Sequence, residues 1–358
     1  MAYTDIDKPS DYFNTVLYTG NGTAIGSGGN AITGVGFQPD WLWIKNRSNT
    51  TVHHLQDVVR GSTKALYSNL TNAEGTSAEN VNSFDSDGFT VGSGTGVNTN
   101  AENFVAWNCL ADNTSGSSNT DGSITSTVSA NTTSGFSIVS YTGNGTAGAT
   151  IGHGLNAVPD WIVVKRRNTT DSWGVYHSAN TSEPETDVLT LNTTNATADS
   201  NTRWNDTAPT SSLFTVGTDG GMNGNGSTYI AYCFAEKKGF SKFGSYTGNN
   251  SNDGTFVYTG MKPAWVLIKR INSPANWILK DNKRDSYNVA TQTLLPNSSS
   301  AEYNDGAYNT IDFLSNGFKL RGGSSGVGND TNASEPYIFM AFAENPFVTS
   351  TGIPTTAR

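Results

Sequence analysis

Three stretches of this 358-residue chain carry the same two markers in the same order, which fixes its organisation before any residue chemistry is considered. Tyr18-Thr-Gly-Asn-Gly22 returns as Tyr141-Thr-Gly-Asn-Gly145 and, nearly unchanged, as Tyr246-Thr-Gly-Asn-Asn250. Each is followed by a Pro-x-Trp-apolar-x-apolar-Lys stretch: Pro39 to Lys45, Pro159 to Lys165 and Pro263 to Lys269. The Trp positions are offset by 120 and then 104 residues, and the Tyr positions by 123 and then 105. Self-similarity at such a spacing is the signature of tandem units. It makes a scaffold or binding surface a better expectation than an enzyme with one catalytic centre.

Turn signals and closing strands set the boundaries. Ser86-Asp-Gly-Phe89 and Ser315-Asn-Gly-Phe318 read as tight turns feeding a strand, since Asp, Asn and Gly accept positive φ at low cost. The closing strands are Phe104 to Ala111, Tyr229 to Ala235 and Tyr337 to Ala343. The expected layout is an N-terminal arm 1–11, copy one 12–111, a flexible linker 112–135, copy two 136–235, a short linker 236–239, copy three 240–344 and a C-terminal tail 345–358. Because 112–135 is polar and long while 236–239 is short, copies two and three are expected to pack as a rigid pair, with copy one free to sit elsewhere.

Only 14% of residues are charged and 11% are aromatic, with Asn, Thr, Ser and Gly between short apolar runs. Regularly spaced Trp, Tyr, Phe and Ile in such a background argue for packed sheets rather than disorder. The fold class expected is all-β: three tandem antiparallel β-sandwich modules, jelly-roll or lectin-like. Leu42 and Ile44 alternate with Trp41 and Trp43, so that strand is expected to be apolar on both faces and to lie between two layers. The repeated Trp41, Trp161 and Trp265 read as core. Helix is expected only as one short turn within 58–66. The Gly-rich stretches 92–96, 219–226 and 322–328 read as loops.

A net charge of −9 disfavours nucleic acid as a partner, because phosphate binding needs clustered Lys and Arg. No run of 18 apolar residues exists, so no helical membrane insertion is expected. The first ten residues lack the apolar stretch of a secretory signal, which points to synthesis and assembly in a cytoplasm. Cys109 and Cys233 are expected at the same place in copies one and two and read as buried, unbridged side chains.

Chemistry is sparse. The acid pairs Asp85/Asp87, Glu183/Glu185 and Asp281/Asp285 all fall in loop-like polar sequence, the setting of solvated acids rather than a glycan-cleaving pair. The four histidines, His53, His54, His153 and His177, show no metal-ligand spacing. Neither a nucleophile elbow nor a phosphate loop is present. Segments 219–225 and 328–332 offer oxygen ligands for calcium but lack its dense carboxylate set, and Asx turns explain them. No catalytic residue, metal or cofactor is expected. For carbohydrate, two readings stand for Trp173, Tyr176, His177, Trp277, Asp281, His53 and His54. They are either a second strand packed on the first or an aromatic face with polar neighbours that holds a sugar ring.

Asp11 to Gly22, Gly36 to Trp41, Asp57 to Gly61 and Gly239 to Asn249 together resemble a repeat family common in tailed bacteriophages, especially marine ones. Its members are usually labelled tail-fibre or virion structural proteins without a defined activity. The resemblance spans about residues 10–347. It implies a non-enzymatic virion component assembled in the host cytoplasm, with other virion proteins and a host-surface glycan as expected partners. A tail-fibre or host-contacting role leads. A capsid-decoration or head-fibre role is the alternative, because copy one starts by residue 12 without a fibre shaft, and a polysaccharide depolymerase comes last. Three copies in one chain build a threefold knob alone, or several chains, with a trimer expected, surround a fibre axis.

Overall fold

The computed structural model describes residues 3–306, 308–322 and 331–355. In copy one the strands Phe13–Thr19, Asn103–Cys109, Trp41–Asn46 and His54–Asp57 lie side by side in that order, all antiparallel. Copy three repeats the order with Ser241–Thr247, Pro336–Pro346, Met261–Arg270 and Trp277–Asp281. In copy two Phe136–Thr142, Thr228–Phe234, Trp161–Arg166 and Gly174–His177 form the middle of an eight-stranded sheet. Register is equivalent too: Trp41 pairs with Cys109 and Asp57, Trp161 with Phe234 and His177, and Trp265 with Phe342 and Asp281.

Each Trp strand is buried on both faces, as its uninterrupted apolar run requires. Leu42 and Ile44 pack with Phe89, Val91 and Val97 in a core private to copy one, closed by the second sheet Asn30–Thr33, Gly88–Val91 and Val81–Asp85. Copies two and three have their own cores, covered by the pair Ala149–Gly152 and Leu213–Val216 and by Phe256–Tyr258, Gly317–Leu320 and Ile311–Leu314. The opposite faces converge. Trp41, Trp43, Trp107, Trp161, Trp265 and Trp277 meet with Phe13, Phe234 and Phe342 in one shared cluster. Burying one Trp removes roughly 200 Å² from water, about 5 kcal/mol at the usual transfer coefficient. The three Trp of copy one on this face therefore match the whole net stability of a typical domain, about 5–15 kcal/mol. At the centre is a mostly apolar void of about 30 Å³ walled by Trp41, Trp43, Trp107, Trp161, Tyr232 and Trp265.

The sequence reading needs four corrections. The segment 112–135 is not a bare tether, since Ser117–Asn119 and Ser126–Asn131 add two strands to the edge of the copy-two sheet. The segment buries only a few apolar side chains, Ile124 between the strands and Val128 within the second, so its composition looks like a linker. Copy one is not free, because its Trp face is part of the shared cluster. Cys109 and Cys233 are buried and free, but Cys109 pairs with Trp41 whereas Cys233 pairs with Ile162. They sit one register step apart and so face opposite sides of their sheets. Finally, the Gly-rich stretches hold one-turn helices, Thr95–Asn98 and Gly220–Asn223, while 58–63 forms turns that run into the short strand Lys64–Ala65. The corresponding part of copy three, 323–330, lies outside the described residues.

Candidate functional site

The seven residues singled out for carbohydrate are all interior: His53, His54, Trp173, Tyr176, His177, Trp277 and Asp281 are each at most 5% exposed. No sugar ring can stack on them as they stand. Five belong to the shared cluster or the seams between copies, while Tyr176 packs in the private core of copy two and His54 lies opposite Ile44 within copy one. The side-chain contacts at the seams run in one rotational sense. Trp173 Nε1 of copy two donates to Tyr67 O of copy one (2.9 Å). His53 Nε2 of copy one donates to Leu295 O of copy three (3.0 Å), and Trp277 Nε1 of copy three donates to Thr190 O of copy two (3.0 Å). The backbone bridges the same three seams with donor and acceptor copies exchanged. Glu74 N donates to Arg167 O, Glu302 N to Arg47 O, and Thr197 N to Ile271 O, at 2.8, 2.9 and 2.8 Å.

Two seams are charged and one is neutral. Asp57 receives Arg60 Nε (2.5 Å) from its own turn and Tyr232 Oη (2.7 Å) from copy two, while Glu74 pairs with Arg60 and Arg167. Burial opposes the Arg60 charge, yet Asp57, Tyr232 and Glu74 together raise its pKa. Asp281 receives Arg284 Nε (2.5 Å) and Trp107 Nε1 (3.1 Å), and Glu302 joins Arg284 to Arg47. In copy two the same register position is His177. Its Nε2 donates to Phe339 O (3.0 Å) and its Nδ1 accepts from Ala179 N (3.0 Å), which uses both nitrogens of a neutral ring. Burial holds His177 down at about 4. Three lysines at equivalent strand ends are buried as well: Lys45 donates to Asn46 O, Lys165 to Arg166 O, and Lys269 to Ala275 O. Desolvation lowers them to about 8, 8 and 7.

The register gives the molecule two poles. Phe13, Trp41 and Cys109 lie at one end of the copy-one sheet, and Thr19, Asn46 and Asn103 at the other. The equivalent first ends meet as neighbours, with Phe13 stacked on Phe342 at 4.5 Å and Trp41 against Phe234 at 6.5 Å. Both chain arms and both linkers gather at this pole. Asp5 N donates to Lys238 O (3.0 Å), and Ser350 N donates to Asp7 Oδ1 (2.6 Å). Asp40 Oδ2 accepts from Ala111 N and Asn113 N, and Asp160 Oδ2 accepts from Glu236 N, so the repeated Pro-Asp-Trp acid holds the start of each linker.

The opposite pole presents the Tyr-Thr-Gly-Asn turns. Each is clamped by a buried asparagine that the sequence reading missed. Asn98 Oδ1 accepts from Asn21 N, Asn223 Oδ1 from Asn144 N, and Asn332 Oδ1 from Asn249 N, while their amides donate to Thr23 O, Thr146 O and Ser251 O. The available signal was an asparagine shortly ahead of each closing strand, Asn98 before Phe104, Asn223 before Tyr229 and Asn332 before Tyr337. Asn21, Gly22, Asn144, Gly145, Asn249 and Asn250 are exposed, so this pole is polar and carries no charge on its turn tips.

The acids weighed for hydrolysis are engaged in turns. Asp85 accepts from Ser83 and Thr90 hydroxyls, Asp87 from Gly34 N and Gly36 N, and Asp285 from Thr291 N and Gln292 N. Glu183 precedes a one-turn 3-10 helix at Pro184–Thr186, and Glu185 is its middle residue. Asp219 caps the Gly220–Asn223 turn and pairs with Arg203 at 3.3 Å, and residues 328–330 of the other calcium candidate lie outside the described residues. Among the described residues no group of three His, Cys, Asp or Glu could hold a metal ion.

No curated protein and no solved structure matches the chain. A family model does, over residues 8–346, and the chain accordingly belongs to the family described as Domain of unknown function (DUF7483).

Proposed function

We propose that this protein is a non-enzymatic structural component of a tailed-phage virion, a tail-fibre or host-surface-contacting element. The two-poled build carries the reading: the segments around Asp5–Asp7, Lys238 and Ser350 collect at one pole, which would serve for attachment, and the repeated uncharged turns face the other way. A closed ring of three equivalent sheets in one chain supplies a rigid tip, and weak contacts at the turns would gain strength through several copies per particle. The buried ion pairs and the satisfied histidines have structural work at the seams, which supports a non-catalytic role. Virion neighbours would engage the pole with the chain ends, and a host glycan the other.

The same gathered ends suit a head-decoration protein, and particle labelling separates the two. An antibody fragment against the purified chain, imaged on intact particles, is expected at the tail tip or fibres. Label confined to the heads favours decoration, and no label on any particle overturns the virion assignment. In parallel, purified chain at saturating concentration is expected to coat host cells and slow adsorption. Absence of both effects removes the host-contact role.

A further inference from the structure

Asn-Gly is among the least durable pairs in a polypeptide. The Gly amide nitrogen, unhindered by a side chain, attacks the Asn side-chain carbonyl carbon. A C–N bond closes a succinimide ring, and the side-chain nitrogen leaves as ammonia with the proton that the Gly nitrogen gives up. Water then opens the ring to Asp or isoaspartate, so a neutral residue ends as a carboxylate. The exposed turns of the polar pole are built from this pair. Asn21-Gly22 and Asn144-Gly145 form turn tips, with Asn225-Gly226 beside the second, and all of these residues are exposed.

Backbone conformation explains why the labile pair is there. Gly22, Gly145 and Gly226 have φ of +67°, +70° and +72°, the left-handed region that favours Gly. Space is tight as well: a Cβ at Gly22 would come 3.2 Å from Asn100 Cβ, and one at Gly145 would come 3.3 Å from Asn225 Cβ. Copy three places Asn250 at φ +54° instead, so its pair is Asn249-Asn250, in which the second side chain hinders ring closure. Asn comes first in each turn because its Oδ1 accepts the N–H two residues on, from Thr23 (2.8 Å) and Thr146 (2.9 Å).

The fold engages both atoms that would join. Gly22 N donates to Asn98 O and Gly145 N to Asn223 O, at 2.9 and 2.8 Å, and Gly226 N donates to Gly143 O at 2.9 Å. Asn21 Oδ1 accepts a second bond, from Asn98 Nδ2 (3.0 Å), so its carbonyl carbon reaches the Gly22 nitrogen only by breaking both. Asn98 and Asn223 are fully buried, and each also accepts the backbone N–H of the labile Asn, at 2.9 Å. Attack on the side chain therefore requires the turn to leave its clamp.

We propose that Asn21 and Asn144 are spontaneous deamidation sites that the Asn98 and Asn223 clamps keep closed, so that the fold and not the local sequence holds this pole uncharged. Reaction proceeds only while a turn is open, and its slowing measures that opening equilibrium. The chemistry holds whatever the pole contacts, and so it stands or falls apart from the host-contacting reading.

Peptide mapping by mass spectrometry tests it, with the full-length protein aged in mildly alkaline buffer beside synthetic peptides of residues 15–27 and 138–150. Asn21 and Asn144 are expected to deamidate at least about tenfold more slowly in the protein than in the peptides. Asn98→Ala should speed the reaction at Asn21 and leave Asn144 at its wild-type rate. Asn223→Ala should do the reverse, so each variant carries its own control against general unfolding. Should either variant misfold, hydrogen exchange of the wild type decides: the Gly22 and Gly145 N–H groups should be protected by about the factor by which deamidation is slowed. Equal rates in protein and peptides overturn the proposal. So does a folded Asn98→Ala protein in which both sites accelerate alike or neither does, and so does slow deamidation without protection of the two Gly amides.

Discussion

The indole N–H of Trp107 in the first copy donates to Asp281 of the third across 3.1 Å, in an interior where Arg284 holds the same carboxylate at 2.5 Å. A single oxygen thus joins a sheet centre, a neighbouring turn and the seam between them. Both charges are fully buried, so their value lies in being complete. Asp281→Ala is expected to cost about 3–5 kcal/mol because it breaks a buried ion pair and leaves Arg284 Nε and Trp107 Nε1 without their acceptor, measured as a fall in the urea midpoint at constant slope. A loss under about 1 kcal/mol would mean that the seam is not closed in solution.

All eight tryptophans are at most 7% exposed. Intrinsic emission is therefore expected to be strongly blue-shifted and insensitive to acrylamide and to sugars. Quenching by a glycan would place a Trp on the surface and revive the stacking role set aside for Trp173 and Trp277.

Low pH should weaken the fold through the buried histidines. His54 and His177 fall from the ordinary 6.5 to about 4, so between these values the unfolded chain binds more protons than the folded one. Their stabilisation is complete above pH 6.5 and is lost as pH falls through 4. Asp40, raised to about 6 by burial, acts in the opposite sense between its ordinary 3.8 and 6, so the clean readout is a difference. His177→Gln keeps a donor for Phe339 O but cannot titrate, and should flatten the wild-type pH dependence by up to about 3 kcal/mol. Identical pH profiles for the two proteins would contradict this account.

Asn223 receives Asn144 N and donates to Thr146 O and Gly217 O (2.9 Å each). Asn223→Ala should cost about 1–3 kcal/mol by leaving these groups unpaired, and amide exchange should accelerate in 143–147 first. Uniform exchange across the chain would show that the clamp is not local.

Strands were legible wherever apolar residues ran continuously. The expected strand over 40–46 is Trp41–Asn46, and the both-faces-buried pattern of Leu42 and Ile44 against Trp41 and Trp43 correctly implied two layers. What sequence alone did not give is what covered the Trp face. The partner of Trp107 lies 174 residues away, and nothing local to either residue encodes that contact. The same gap turned Trp173 and Trp277 into candidate sugar platforms, since a seam residue and a binding residue share the same aromatic character. Ser126–Asn131 was hidden for a different reason: it lies next to the sheet edge with few apolar side chains, and its Ser and Thr resemble a linker.

Differential scanning calorimetry of the intact chain tests the central claim most directly, because three sheets sharing one Trp-lined core must melt together. One transition is predicted, with calorimetric and van't Hoff enthalpies equal. A separate early transition for copy one, leaving the other two copies folded, would contradict it.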